Sequence, residues 1–506
     1  MTSTEHRKEA GRTPRLSPAR IGAAAITVGA AIVYSYVSLY RHDRFASNAF
    51  DLAVQDQTVW GYSRFQMIHN TVLGIPNLLG DHFHPILMLL APFYWIWDSA
   101  GVLLVAQGIL LALAGVPIYL WAEERLGRVA GLAFLLTYVV FWGILAGVIY
   151  DFHHVAFAVP AISAALYATL TRRNRLLWSM VAVTMLTRED TTLTLIALGF
   201  YIAVVQRRYI LGAVMMGLNA GWFALLIGAI MPALAGGPYR HWTYQALGTG
   251  PVSSALFVLR HPIASLQLLF VPTHKTLVWI GSFLSWAFLP VLSPITLIAL
   301  PTFLERMWSS SPNFWSFQYQ YSMLAAPILA FAAIDTCARI RAMSGTRFAW
   351  VSTKLLPIAA LAAGAIFTLG PIRPFDEVST YLTAGRAAEI QSCLDTIPGT
   401  AGVSASNTLV PHLSDRDEIF VVTANTDVDY IAIDPSTYPS FFPGEEDQLR
   451  TVVRTALAGG YGVSCVKGLT LVLARGAPSQ TMSPELDLWL AGGCSGRACL
   501  SEAQLS

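Results

Sequence analysis

Acidic and histidine residues of this chain occur in short clusters that apolar stretches separate. Carboxylates and imidazoles take up and release protons and bind divalent metals, which are properties that enzyme sites use. Loops that carry Arg and Lys alternate with these clusters, so the positive-inside rule predicts that the clusters share the extracytoplasmic side of a membrane. A one-sided polar site in a polytopic protein indicates an enzyme or a gated binding site. The clusters are Asp51 with Asp56, Gly80-Asp81-His82-Phe83-His84-Pro85, Tyr150-Asp151-Phe152-His153-His154 and Thr187-Arg188-Glu189-Asp190.

Asp51 and Asp56 follow the first apolar run and are the candidate catalytic residues. A carboxylate that is held just above the bilayer, beside apolar walls, is well placed to act as a general base. The alternative for Asp51 is a capping role at the start of an amphipathic helix over residues 52–66. The two roles do not exclude each other.

The other clusters supply candidate ligands for a metal or a substrate. His and carboxylate together suit zinc or manganese, but the spacing matches no metal-binding motif. The alternatives are that these groups bind a phosphate, hydrogen-bond loop backbone or lie at the membrane interface. Ionisable groups near membrane depth are costly and indicate function, although an internal ion-pair network explains residues 188–190 equally well. The candidate substrate-binding residues of these clusters are Asp81, His82, His84, Asp151, His153, Arg188, Glu189 and Asp190.

Cations in a predicted outer loop complete the set of candidates. Arg240, and the adjacent pair His274 and Lys275, provide the positive charge that binding of a lipid phosphate requires. Interfacial anchoring by aromatic and basic side chains explains the same residues equally well. A divalent metal stays open as a cofactor, and no other cofactor is predicted.

The composition is typical of a membrane protein. Apolar residues make up 55% of the 506 residues and charged residues only 12%, which lies outside the usual range of soluble domains. The net charge of +2 gives no bulk attraction to nucleic acid. A basic tail over residues 1–20 precedes the apolar run 21–40, which is long enough to span a bilayer and lacks a small-residue cleavage site. We therefore predict a retained anchor and a cytoplasmic N-terminus in a multi-pass plasma-membrane protein.

Further apolar segments predict a helical membrane domain over residues 21–371. With every Arg-rich short loop placed inside, the domain has about eleven transmembrane helices. The segment Ile86–Trp97 is too short to span and is expected to lie in the outer interface. The predicted outer loops are 41–84, 232–276 and 305–320. The predicted spans are 21–40, 100–121, 129–149, 155–170, 176–187, 191–206, 209–231, 277–292, 294–304, 322–337 and 351–370.

The composition changes after the last predicted span. Apolar residues now come in short runs between helix-like stretches, which predicts a small extracytoplasmic α/β domain over residues 372–506. Four of the five cysteines fall in this domain, where disulfides are chemically permitted. Cys494 with Cys499 is the simplest pair and would leave Cys393 with Cys465.

Several of these motifs resemble the bacterial membrane proteins grouped as domain of unknown function 2079. More distantly, the layout is similar to GT-C glycosyltransferases, including the protein O-mannosyltransferases and aminoarabinose transferases. Those enzymes place an acidic residue after the first span and a His-Pro run before the next apolar segment, positions that Asp51 and His84-Pro85 match. The Asp-Glu pair of those enzymes is Asp51-Leu52 here. The motifs are Phe50-Asp51-Leu52 with Asp56-Gln57, Gly80-Asp81-His82-Phe83 with Pro85, Tyr150-Asp151-Phe152-His153, Glu189-Asp190, Val403-Ser404-Ala405-Ser406-Asn407, and Pro411-His412-Leu413-Ser414 with Arg416.

The resemblance implies a GT-C-like fold and transfer of a sugar from a polyprenyl-phosphate donor to an extracytoplasmic acceptor, namely a cell-envelope glycan, a lipid or a protein. Nucleotide sugars are absent outside the cytoplasm, so a lipid-linked donor that approaches through the bilayer fits the predicted site. We expect Asp51 to deprotonate the acceptor in an inverting displacement while the cations stabilise the departing phosphate. His82, His84 and His153 are expected to shape the site or tune Asp51.

A lipid or solute transporter, or a flippase of the cell envelope, is the alternative function. Transporters usually contain inverted repeats or paired broken helices near the bilayer midplane. This sequence contains no convincing repeat, and its polar groups cluster at the predicted outer surface. The sequence therefore favours a role in cell-wall biogenesis as a transferase.

Overall fold

The computed structural model describes residues 17–344, 348–422, 425–437, 445–478 and 480–500. Residues 1–16 of the predicted basic tail therefore lie outside the described residues, and the first helix already begins at Pro18. Two regions follow along the chain. A helical region extends to about residue 372, and a smaller region with a five-stranded sheet follows it.

Apolar α-helices build the first region. Ser17 caps the first of them through its side chain, and Pro18 occupies the first turn, where its missing N–H is not needed. Short 3₁₀ or π-helical turns occur where the loops enter helices, as at Ala49–Ala53, Pro85–Leu90 and His154–Phe157. The α-helices are α1 Pro18–Asp43, α2 Val54–Ser63, α3 Ala91–Tyr94, α4 Gly101–Leu113, α5 Gly115–Leu126, α6 Arg128–Val139, α7 Trp142–Ile149, α8 Ala158–Leu170, α9 Asn174–Met185, α10 Thr191–Val204, α11 Tyr209–Leu225, α12 Met231–Ala235, α13 Pro251–Arg260, α14 Pro262–Leu268, α15 Thr273–Leu284, α16 Leu300–Trp308, α17 Ala325–Ser344 and α18 Leu356–Phe367.

Among the described residues, five helical segments are long and apolar enough to cross a membrane, or seven if each of two bent pairs counts as one span. The bent pairs are α6 with α7, at 41°, and α14 with α15, at 73°. Shorter apolar helices cover several of the other predicted spans, so the count of eleven stays a prediction. The five segments are Pro18–Asp43, Gly101–Leu126, Tyr209–Ala235, Gln320–Met343 and Val351–Thr380.

Close helix packing depends on small residues, as is usual in membrane proteins. Gly199 of α10 and Gly212 of α11 face each other so closely that a Cβ at either position would meet backbone atoms of the other helix. A Cβ at Gly108 of α4 would likewise collide with Ser35 of α1. A larger side chain at these positions would separate the helices.

The loops that were predicted to be cytoplasmic meet at one end of the helices. Arg20 pairs with Glu123 at 3.0 Å, and Arg341 donates to the carbonyl of Arg125 at 2.7 Å. Arg208 donates to Asn174 at 2.7 Å. The acidic and histidine clusters meet one another elsewhere, as described below, and the side of the membrane on which each loop lies stays a prediction.

The second region is an α/β domain with the strand order β2-β1-β3-β5-β4. The strands β1 Val403–Ala405, β2 Ile419–Val421 and β3 Tyr430–Ile433 are parallel, and β4 Tyr461–Lys467 and β5 Thr470–Arg475 form an antiparallel hairpin beside β3. The sequence patterns predicted every strand except β4. The helices of this domain are α19 Ala384–Leu394, α20 Glu445–Ala458 and α21 Pro484–Leu490.

Two disulfides and one ion pair stabilise this domain. The structure pairs Cys393 with Cys465 and Cys494 with Cys499, as the cysteine count suggested. Arg386 of α19 forms a buried ion pair with Asp434, at the end of β3, and donates to Thr470 at 2.9 Å. The buried charges are tolerated because each has several hydrogen-bond partners.

The α/β domain docks on the first region through polar contacts and a shared apolar core. Asn407, after β1, accepts from the backbone N–H of Ala49 at 3.0 Å and donates to the side chain of Asn48 at 3.0 Å. Thr71 accepts from the N–H of Ile419 at 3.0 Å and donates to its carbonyl at 2.6 Å, which satisfies the free edge of β2. The shared core includes Phe45, Val54, Ile75, Val410 and Ile419.

We expect Arg386→Ala to destabilise the α/β domain by about 3–5 kcal/mol, because the substitution leaves the buried Asp434 without its cation. Urea-dependent pulse proteolysis of the full chain in detergent measures this loss. The control is Asp427→Ala, which removes an ion pair with Arg475 at the surface and is expected to leave the urea midpoint nearly unchanged. Equal midpoints for the two variants would contradict the assigned role of the buried pair.

Candidate functional site

The site is organised around Asp151, whose carboxylate is fully buried in the loop between α7 and α8. Arg41, at the end of α1, forms an ion pair with one carboxylate oxygen. The other oxygen accepts from the backbone N–H of Asn48 at 2.8 Å and from its side chain at 3.2 Å. Burial raises the pKa of Asp151, and the charge of Arg41 opposes that rise. The contacts fix the loop after α1 against the loop after α7.

Asp51 lies in the loop that this anchor holds, and its side chain is 22% exposed. Its carboxylate accepts from the hydroxyl of Tyr150 at 3.1 Å and lies 3.2 Å from Nε2 of His153. Nδ1 of His153 is 2.9 Å from the carbonyl of Asp151. Because a carbonyl only accepts, Nδ1 carries a proton, and Nε2 is therefore the nitrogen that exchanges a proton with Asp51. The arrangement is suited to proton transfer.

A polar cavity of about 770 Å³ opens beside this pair. Tyr150, which bonds Asp51, forms part of its wall, and the ring of Tyr319 meets that of Tyr150 edge-on at 4.8 Å. Aromatic faces combined with polar side chains are typical of sites that bind polar organic molecules. The other polar or aromatic residues of the wall are Arg41, Asn48, His274, Asn313, Trp315, Ser316, Phe317, Gln318, Arg373 and Glu377.

A second cluster surrounds the fully buried carboxylate of Glu189. Nδ1 of His82 lies 2.8 Å from it, and Tyr239 donates to it at 3.2 Å. Burial alone would raise the pKa of Glu189, but the charge of His82 and its hydrogen bond lower it. Burial alone would conversely lower the pKa of His82, and the carboxylate raises it. The two groups therefore form an ion pair that joins the loop before α10 to the loop before Pro85.

Asp81 and His241 complete the second cluster. Nε2 of His241 lies 3.0 Å from Asp81, and the ring of His241 stacks on that of His82 with centroids 4.0 Å apart. Gly80 allows this arrangement, since a Cβ there would collide with the backbone of Ala235 in α12. The rings of His84 and His154 lie next to His82. Loops that are distant in sequence thus bring four histidines together.

Arg188 directly precedes Glu189 of the second cluster, and carboxylates already neutralise its charge. It forms ion pairs with Asp190 and with Glu305 of α16. A small cavity of about 30 Å³ adjoins these groups and is also lined by Arg306 and Tyr321. Tyr321 is near Tyr319, with ring centroids 6.4 Å apart, so tyrosine side chains connect this cavity to the polar cavity beside Asp51.

A groove of about 950 Å³ adjoins the ion pairs of Arg188, since Asp190 and Glu305 line the groove and the small cavity alike. Most of its lining is apolar, and Tyr239 and Trp242 contribute aromatic rings from the loop before α13. A hydrocarbon chain is the kind of ligand that such a lining accommodates. The apolar residues of its wall are Leu193, Ile196, Ala197, Phe223, Ile227, Leu247, Val258, Leu259, Leu304 and Trp308, among others.

The predicted cations have different surroundings. Arg240 is exposed between Tyr239 and His241 and has no ion pair within the described part of the chain. His274 lines the polar cavity. Lys275 is buried, donates to the carbonyl of Leu268 at 3.0 Å and approaches the ring of Trp315. None of the three has an ion pair within the described part of the chain, and Arg240 is the one that is both permanently charged and exposed.

Asp56 is separated from Asp51 by its contacts. It is 1% exposed, and its carboxylate accepts from Tyr94 at 2.5 Å and from Ser414 of the α/β domain at 2.6 Å. These contacts link the two regions, so of the two carboxylates the partly exposed one is that of Asp51, which bonds the cavity-lining Tyr150. The sequence made both candidate catalytic residues, with Asp51 as the expected base.

The sequence analysis missed several residues on which the site depends. Arg41 and Asn48 hold Asp151, and Tyr321 joins the cavities, yet none of them was a candidate. A charged residue at the end of an apolar span was the one available signal for Arg41. The pairing of Asn407 with Asn48 left no local signal, because 359 positions separate the two residues.

The pH dependence of stability tests the role of Asp56. Burial, and after it the charge of Asp415, raises the pKa of Asp56 well above its usual range. The folded carboxyl group then binds its proton more tightly than the unfolded one, so its contribution to stability is full below the unfolded pKa and is lost as the pH rises through the folded pKa.

We expect the thermal midpoint of the wild type to fall more steeply with pH, from about 4 upward, than that of Asp56→Asn, which stays neutral. Scanning fluorimetry in detergent provides the measurement, with Asp395→Asn, at an exposed position, as the matched control. Parallel curves for the wild type and Asp56→Asn would show that Asp56 titrates normally.

Comparison with known proteins agrees with the fold. A family profile described as "Predicted membrane protein (DUF2079)" matches residues 41–466. Curated proteins yield no match. The structure of ArnT from Cupriavidus metallidurans bound to undecaprenyl phosphate is similar with a TM-score of 0.55 and 13% identity, over 91% of this chain and 99% of that chain.

Two further structures are similar. Apo ArnT from the same organism has a TM-score of 0.54 and 14% identity, over 92% of this chain and 100% of that chain. The oligosaccharyltransferase AglB from Archaeoglobus fulgidus, in complex with an inhibitory peptide and a dolichol-phosphate, has a TM-score of 0.42 and 12% identity, over 86% of this chain and 72% of that chain.

Proposed function

The chain belongs to the membrane-protein family DUF2079, and from this premise and the geometry of the site we propose that it is a GT-C-type glycosyltransferase that moves a sugar from a polyprenyl-phosphate donor to an acceptor outside the cytoplasm. The likeness in fold to ArnT, a structure of which contains undecaprenyl phosphate, supports the proposal. The observation that carries it is the partly exposed Asp51–His153 pair, which bonds Tyr150 in the wall of a polar cavity, in a fold that also contains an apolar groove.

The donor is assigned to the groove. The groove has a volume of about 950 Å³ and a mostly apolar wall, so it accommodates part of a polyprenyl chain. The chain reaches the site from the bilayer. Arg240 provides the free positive charge for the phosphate, next to Tyr239 of the groove wall. Arg188 is a weaker candidate for this role than the sequence suggested, because Asp190 and Glu305 already neutralise its guanidinium.

The acceptor is assigned to the polar cavity beside Tyr150. The aromatic rings of Tyr319 and Trp315 provide faces against which a sugar ring packs, and Arg373 and Glu377 provide hydrogen-bonding groups. A hydroxyl group of the acceptor that enters beside Tyr150 reaches the carboxylate of Asp51. The lining favours a glycan over a lipid acceptor, since few aliphatic side chains contribute to it.

The reaction is an inverting displacement. The carboxylate of Asp51 accepts the proton of the acceptor hydroxyl while that oxygen forms a bond to the anomeric carbon. The bond between the anomeric carbon and the phosphate oxygen breaks on the opposite face, and polyprenyl phosphate leaves with the bonding electrons. His153 then takes the proton from Asp51 through Nε2 and releases it to solvent, which restores the carboxylate.

We expect Asp51→Asn to lower the rate of transfer by about 10²–10⁴-fold, which is the usual contribution of a general base. Purified protein is incubated with a panel of radiolabelled polyprenyl-phosphate sugars and glycan acceptors, and transfer and donor binding are measured separately. Donor binding is expected to persist, because Asp51 lies outside the groove. Asp98→Asn, which removes an exposed carboxylate paired with Arg64, is the control.

Two results would contradict this assignment. Full transfer activity in Asp51→Asn would exclude Asp51 as the base. Donor binding that never leads to transfer with any acceptor, together with movement of the lipid between leaflets of vesicles, would favour the transporter function instead.

The assignment of the phosphate site makes a separate prediction. Loss of a charge-assisted hydrogen bond costs about 1.5–3 kcal/mol, so Arg240→Gln is expected to weaken donor binding about 10- to 100-fold. Arg260→Gln, at another exposed arginine in the segment that leads to α14, is the matched control. Unchanged donor affinity in Arg240→Gln would indicate that another cation binds the phosphate.

A further inference from the structure

The second cluster contains a set of side chains with the chemistry of a metal site. Asp81, His82 and His241 each offer one ligand atom, and these three atoms lie within 4.8 Å of one another. Ligands around a tetrahedral zinc ion at about 2.1 Å are about 3.4 Å apart, so an ion requires the three to move closer by an ångström or so. The rings of His82 and His241 are stacked nearly parallel, so one ring must also rotate before both point a nitrogen at the same ion. Asp81 and His241 lie on loops and are partly exposed.

The surroundings of His82 fit a metal ligand. Nδ1 of His82 faces the buried carboxylate of Glu189 at 2.8 Å, which leaves Nε2 for an ion. A carboxylate behind the second nitrogen is the usual arrangement for a histidine that binds zinc, since it fixes the tautomer and the orientation of the ring. Tyr239 adds a hydrogen bond to the same carboxylate.

Two further histidines provide an independent observation. His84 is 0% and His154 is 5% exposed, and none of their four ring nitrogens has a hydrogen-bond partner among the described residues. Their rings are 4.5 Å apart, and that of His154 is 5.3 Å from His82. Buried polar nitrogens without partners are costly, and water molecules that accompany an ion on the neighbouring His82 would provide such partners.

We propose that Asp81, His82 and His241 bind one divalent zinc ion, which ties the loop before Pro85 to the loop that contains Tyr239 and Trp242. Two imidazoles and a carboxylate are a ligand set that suits zinc. A fourth position stays open for water or an oxygen of a bound ligand. Because Tyr239 and Trp242 line the apolar groove, the ion fixes one wall of that groove.

The test measures metal content, which does not depend on the glycosyltransferase assignment. Tag-free full-length protein in detergent is treated with a chelator, incubated with ZnCl₂, freed of excess metal and analysed by inductively coupled plasma mass spectrometry. We expect one zinc per chain in the wild type, and a loss of most of it in His241→Ala and in Asp81→Asn. His69→Ala, which removes an exposed histidine outside the cluster, is expected to retain the metal.

A second readout addresses folding of the variants. Zinc is expected to raise the thermal midpoint of the chelator-treated wild type and of His69→Ala, but not that of His241→Ala, while all three have the same midpoint in excess chelator. The proposal is overturned if the wild type retains less than a stoichiometric amount of zinc, if manganese or iron replaces zinc under competition, or if both cluster variants keep the ion.

Discussion

The buried ion pair between Arg41 and Asp151 is the interaction on which the site depends. Removing two charges from water is expensive, and the pair is tolerated because Asn48 satisfies the remaining oxygen of the carboxylate. Tyr150 precedes Asp151 directly, and His153 follows it by two positions. The pair therefore fixes both neighbours of Asp51, while Asn48 fixes the loop of Asp51 itself.

The carboxylates of the site differ in their hydrogen-bond and ion-pair partners. Asp151 and Asp190 each face an arginine, which keeps its charge under all ordinary conditions. Asp51 instead accepts from the hydroxyl of Tyr150 and faces the imidazole of His153. Among the three, Asp51 is thus the carboxylate without an arginine partner, and its side chain is 22% exposed. The ion pairs fix the surrounding loops, and Asp51 lies beside Tyr150, which lines the cavity.

Sequence patterns predicted much of this arrangement because the chemical groups come in local clusters. The segregation of basic and acidic loops followed from the alternation of charge between apolar runs, and the strands β1, β2, β3 and β5 followed from short apolar runs. The strand β4 was missed, since Gly462 and Ser464 interrupt its apolar pattern. The number of spans stays a prediction, because bends such as that between α14 and α15 depend on packing rather than on hydropathy.

The roles of single residues could not be predicted from the sequence, because their contacts join residues that are far apart along the chain. Arg41 and Asp151 are 110 positions apart, and Arg188 and Glu305 are 117 apart. Asp51 and Asp56 look alike in sequence, yet Asp51 is partly exposed beside Tyr150, and Asp56 is buried and bonds Ser414 of the α/β domain. Which carboxylate is paired, buried or open is a property of the tertiary structure.

The contact between Asn48 and Asn407 affects how the chain folds while it is being synthesised. The loop of Asp51 leaves the ribosome early, but the residue that completes its support follows 359 positions later. Until the α/β domain has been made, moved to the side of the membrane where it docks and closed by its disulfides, the loop lacks that support. A truncated or half-inserted chain would therefore have the loop of Asp51 without the hydrogen bonds that Asn407 provides.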